Sequence, residues 1–124
     1  MTTAKPAPQR SADPAFVMSG AVVIEAATAF RRDDHGGCAG TGDFADLRDG
    51  SPVLVEVDGG KVPAGQLTDG RALMDGTCRF WFAARSVPAG HDQYRVWAGR
   101  HSSPEYGEAE VKGSLVTVHL APST

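Results

Sequence analysis

Five stretches of this chain place apolar residues at every second position. Val53, Val55 and Val57 alternate along Pro52 to Val57, and Cys78, Phe80, Phe82 and Ala84 alternate along the next. Tyr94, Val96 and Ala98 repeat the pattern, as do Val116, Val118 and Leu120. Near the start, Met18, Gly20, Val22, Ile24, Ala26, Thr28 and Phe30 share one face of an extended strand. A period of two belongs to a strand with one buried face. Helix competes across Ala21 to Ala29, where alanine favours it, but the Val22-Val23-Ile24 centre favours strand. Turn residues separate the stretches: Asp58-Gly59, Asp69-Gly70, Asp75-Gly76 and Val87-Pro88-Ala89-Gly90. Asp-Gly accepts the positive φ of tight hairpins, and Pro88 presets φ for its turn. A short strand is expected at Leu73-Met74 and an edge strand around Tyr106 to Val111, with Arg31 to Gly50 a loop. About seven to eight short strands so spaced predict an all-β, immunoglobulin- or transthyretin-like sandwich over 16–121.

Ahead of that domain, residues 1–15 are rich in Pro and Ala and poor in apolar side chains, the composition of a disordered tail. The stretch has no apolar core of the kind a signal peptide needs. Either the chain is cytoplasmic as written, or it begins after a removed signal or anchor. The second reading is preferred, because the cysteine placement favours an oxidising, extracytoplasmic compartment. The formal charge of -3, from 12 Lys+Arg and 15 Asp+Glu, lacks the clustered cations that track phosphates, so nucleic acid is not an expected partner. No apolar run approaches the roughly 20 residues of a bilayer span, so direct membrane insertion is not expected.

Cys38 and Cys78 are the only cysteines. Cys38 opens a glycine-rich loop and Cys78 opens a core strand, a placement that predicts a disulfide between them. Two unrelated buried thiols are the alternative. Zinc fits poorly, since Cys-x-x-Cys and His-x(3–5)-His pairs are missing. A nucleophilic Cys38 activated by His35 would need an oxyanion site that no residue pattern supplies. Asp33, Asp34, Asp43, Asp46 and Asp49 crowd the loop, but without the calcium-loop order, and such aspartates ordinarily cap turns. Gly36 to Gly42 lacks the Gly-Lys-Ser/Thr ending of a phosphate loop, and no Gly-x-Ser-x-Gly elbow is present. No metal, cofactor or catalytic set is therefore expected.

The tryptophans carry the interaction chemistry. Alternation points Trp81 and Trp97 away from the core, beside Arg79, Arg85 and Arg95. If their two strands pair, Trp81, Trp97, Arg79 and Arg95 form one aromatic and basic patch, the composition of a binding hot spot. Burial of that patch under another strand, the tail or a second copy is the competing reading.

Four ordered elements bear a resemblance. They are the Cys38-x-Gly40-x-Gly42-x-Phe44-x-Asp46-Leu47-x-x-Gly50 loop, the Val53 to Lys61 hairpin, the Cys78-x-Phe80-x-Phe82 strand, and Val87-Pro88 followed by Tyr94-x-Val96. Together they resemble a group of small exported actinobacterial proteins of unassigned role, over roughly 17–120. Asp43 departs from the glycine found there, and an export signal is missing. The Val-Pro-Ala-Gly to Tyr-x-Val step is also similar to that of transthyretin-like and collagen-adhesin B-type sandwiches, which implies a fold and, by analogy, an adhesive or structural role. The resulting expectation is a non-enzymatic extracytoplasmic module that binds a protein or associates with the envelope. A self-assembling structural subunit is the alternative, and a small thiol or hydrolytic enzyme a more distant one.

Overall fold

The computed structural model describes residues 15–121. The tail expected over 1–15 lies outside the described residues, apart from Ala15. Ten strands, β1 (Ala15–Ile24), β2 (Phe30–Arg32), β3 (Cys38–Gly40), β4 (Pro52–Val57), β5 (Gly60–Ala72), β6 (Cys78–Pro88), β7 (Gln93–Ala98), β8 (His101–Ser102), β9 (Tyr106–Gly107) and β10 (Val116–Leu120), are joined by one short helix, α1 (Glu108–Gly113). The main sheet runs β10-β1-β6-β5-β4-β7-β8, with β9 also on β7, while β2 and β3 form a separate ladder. Every pairing is antiparallel except β1 with β10.

The long strand β5 turns this path into two facing layers. Its first half pairs with β4, from Gly60 opposite Val57 to Gln66 opposite Pro52. Its second half pairs with β6, from Leu67 opposite Phe82 to Ala72 opposite Cys78. One layer therefore sends Met18, Val22, Ile24, Phe80 and Phe82 inward, and the other sends Val53, Val55, Tyr94 and Val96 to meet them in a single core. The architecture is an all-β sandwich-like fold, and the alternating faces lie as the period of two requires. Tyr94 enters that core, and its hydroxyl donates to the Pro88 carbonyl at 2.7 Å, so the buried phenol keeps a partner.

Local differences from the sequence expectation have physical causes. The first strand stops at Ile24, because Ala27–Ala29 form a single 3-10 turn before the chain re-enters β2 at Phe30. Asp69-Gly70 is a bulge inside β5 and not a hairpin turn, with Asp69 at φ 53. A Cβ on Gly70 would stand 2.6 Å from the Phe80 ring and 2.8 Å from the Cys38 carbonyl, so glycine is needed there for close approach. Leu73-Met74 form a turn and not a strand, with Met74 fully exposed. The edge strand expected over Tyr106 to Val111 shortens to two residues, after which α1 starts. In α1, Glu110 accepts the Gly107 N–H at 2.7 Å and Val111 seals the core.

Cys38 and Cys78 are joined by a disulfide, with Cα atoms 6.0 Å apart and a sequence separation of 40. The bond ties β3 and its glycine loop to the first residue of β6. Loop closure on this scale removes unfolded-state entropy equivalent to about 4 kcal/mol.

Candidate functional site on the outer face of β1, β6 and β10

In β6 the residues opposite the Phe80/Phe82 face point outward, and register sets their neighbours. Trp81 lies across from Ala21, which in turn lies across from Thr117 of β10. Arg79 lies across from Val23, which lies across from His119. On its other side Trp81 faces Thr68 and Arg79 faces Arg71. The central strand β1 turns Val17, Ser19, Ala21 and Val23 toward this side, with Val17 exposed and Ala21 covered by its neighbours. Taller side chains flank it: Arg79 and Trp81 on β6, Thr117 and His119 on β10. With strands about 4.8 Å apart, the two ridges stand roughly 10 Å from each other over a shallow trough.

Among the described residues, the exposed large apolar side chains are Val17 (49%), Met74, Trp81 (36%) and Leu115 (63%). Three of these four belong to the trough: Val17 by parity in β1, Trp81 in β6, and Leu115 at the mouth of β10. The Arg79 guanidinium lies 4.4 Å from the Trp81 ring centroid, a cation–π arrangement that fixes the indole's pose. Arg79 Nε is buried and has no hydrogen-bond partner among the described residues. Arg71 pairs with Asp69 at 3.0 Å, and His119 contacts Glu25. Neither Arg79 nor Arg85 forms an ion pair among the described residues.

Trp97 and Arg95 belong elsewhere. Strands β6 and β7 do not pair, because β5 and β4 stand between them. The single patch of Trp81, Trp97, Arg79 and Arg95 therefore does not form. On β7, the Trp97 indole N–H donates to Glu56 at 2.8 Å, and Lys61 caps the ring at 3.7 Å. Arg95 reaches Glu105 at 3.3 Å. These contacts hold Trp97 and Arg95 within the chain, although Arg95 Nε, like Arg79 Nε, has no hydrogen-bond partner among the described residues; Arg79 and Trp81 differ in making no ion pair or side-chain hydrogen bond there.

Three of the five loop aspartates hold structure. Asp33 accepts the N–H groups of His35 (2.7 Å) and Gly37 (2.8 Å), and these two bonds hold its carboxyl below the ordinary value. Asp49 accepts Gly70 N–H at 2.8 Å. Asp46 accepts Arg100 N–H at 2.8 Å and stands 3.4 Å from His101, pinning the loop to the β7–β8 turn. Gly99 makes the contact possible: at φ 58, a Cβ there would come within 2.1 Å of the carboxylate. Beside this latch, Asp43, Phe44, Arg100, His101, Leu120 and Ala121 line an open cleft of about 360 Å³ that sequence reading did not anticipate. Cys38, held in the disulfide, has no thiolate to offer as a nucleophile. No helix among the described residues is long and apolar enough to cross a membrane.

No protein-family model matches the chain, and neither a curated protein nor a solved structure matches it.

Proposed function

We propose that this chain is a non-enzymatic, extracytoplasmic module, exported or held at the envelope, that binds a protein partner in the trough around Trp81. The observation that carries the reading is the gathering of the exposed Val17, Trp81 and Leu115 on one sheet face. Exposed tryptophan braced by arginine, over a flat floor, is the composition of an interface anchor. The disulfide supports the compartment, since such bonds persist where glutathione does not reduce them. Immobilised wild-type domain and its Trp81→Ser and Trp97→Ser variants, each offered envelope extract from the native host, test the reading. Loss of one captured protein with Trp81→Ser alone is expected; equal capture by all three forms removes the site.

Self-assembly is the second reading, and β10 favours it. That strand lies at the end of the sheet, and Val116–Leu120 contain no Lys, Arg, Asp or Glu to discourage pairing with another edge. Light scattering over a dilution series decides it. A strict monomer at the highest concentration excludes assembly.

A further inference from the structure

We infer that the segment filling the trough is acidic and amphipathic: a stretch of a partner protein with apolar residues on the β1 floor and carboxylates along the β6 wall. This inference rests on the reading of the Trp81 face as a binding site and specifies the chemistry of its occupant. Its basis is the charge pattern of the face, taken wall by wall. Along β6, Arg79 and Arg85 both point outward, on either side of Trp81 and Ala83. Of the carboxylates bordering the surface, Asp69 pairs with Arg71, and Glu25 contacts His119 on the far, β10 side. On the β6 wall itself Arg79 and Arg85 have no carboxylate partner among the described residues, on a chain whose overall formal charge is -3.

Arg79 makes the point most sharply. Stacked on Trp81, it keeps its guanidinium at a fixed place on the wall, without an ion pair among the described residues. A planar donor fork matches a carboxylate, and stacking lowers the entropy lost when the pair forms. On the opposite wall Leu115 and Thr117 are uncharged and suit aliphatic contact, with the His119–Glu25 contact farther along and Glu110 beside Leu115. A face roughly 10 Å between ridges admits one extended chain or one ridge of a helix, resting on the exposed Val17, Trp81 and Leu115, since Ala21 between the ridges is already covered.

The other occupants fit worse. The chain's own residues before β1 include Lys5 and Arg10 against Asp13, the wrong sign for this wall. A second copy laid face to face brings the same unpaired arginines, so only an offset docking would keep like charges apart.

Amide-resolved NMR titration of the full chain tests the inference with three synthetic peptides of about fifteen residues. One carries Leu and Phe at helical spacing with Glu and Asp elsewhere; in the others Gln or Lys replaces every acid. The acidic peptide should shift Ser19, Ala21, Arg79, Trp81 and Thr117. It should bind at least about 5-fold more tightly than the Gln peptide, and weaken as salt rises. Arg85→Glu, at an exposed position, should remove that preference without lowering thermal stability, and Arg79→Gln should do the same through the stacked position. Equal binding of acidic and Gln peptides at Trp81, indifferent to salt, overturns the acidic occupant and leaves the Trp81 site standing. Tighter binding of the Lys peptide reverses the assignment. No shift on β1, β6 or β10 with any peptide overturns it too, and the Trp81 site itself falls only if Trp81→Ser also leaves envelope capture unchanged.

Discussion

Replacing both Cys38 and Cys78 with alanine should lower thermal stability more than any other pair of conservative changes in the chain. The bond closes a loop with a sequence separation of 40, from β3 to the start of β6. Chain-entropy arithmetic assigns about 4 kcal/mol to a loop of that size. For a domain of about a hundred residues, each kcal/mol moves the midpoint by roughly 5 °C, so a fall of roughly 15–20 °C is expected. Alanine is the right replacement because Cys78 is fully buried and Cys38 nearly so, and a serine hydroxyl would add its own desolvation cost. The assay is differential scanning calorimetry of the wild type, the double variant, and the wild type reduced and alkylated after unfolding. The double variant should keep its strand signal by circular dichroism while losing the midpoint. A fall under about 5 °C would refute the reasoning, because it would mean that the loop is already constrained in the unfolded chain.

Other outcomes follow from single contacts. Glu56→Gln leaves the Trp97 indole with a weaker acceptor and should cost about 1 kcal/mol by chemical denaturation while leaving partner capture unchanged. Gly99→Ala forces a side chain onto a residue at φ 58 and into Asp46, and should cost about 2 kcal/mol, with the Arg100 amide losing hydrogen-exchange protection. Asp33 and Glu108 titrate below their ordinary values of 3.8 and 4.5, chiefly because His35 N–H binds the first and Gly90 N–H the second. Folded values lower than unfolded ones mean that this stabilisation is present above about pH 4.5 and is lost as pH falls through the folded values. Midpoints recorded across that range should drop less steeply for Asp33→Asn/Glu108→Gln than for the wild type.

The faces of the strands were legible in the sequence because burial alternates with backbone geometry. Phe80 and Phe82, Tyr94 and Val96, and Val116 and Val118 all point inward as their period demands. The disulfide was legible too, since a loop cysteine and a core-strand cysteine are the chain's only pair. Strand neighbours were not legible. Alternation says which way Trp81 and Trp97 point, but pairing depends on where β5 passes between layers, and a long-range crossing leaves no local mark. The trough escaped for the same reason: Ala21, Trp81 and Thr117 lie far apart in sequence and meet through register alone. Helix α1 escaped because six residues are too few for a helical period, although Glu110 three residues after Gly107 is a capping signal.

Site-directed photo-crosslinking tests the binding account most directly. A benzophenone side chain replaces Trp81 in one form of the protein and Trp97 in another, and each is irradiated in the native host. A discrete adduct with one acidic protein from position 81, and none from position 97, is the predicted result. An adduct from position 97 alone, or none from either position, would contradict a binding surface centred on Trp81.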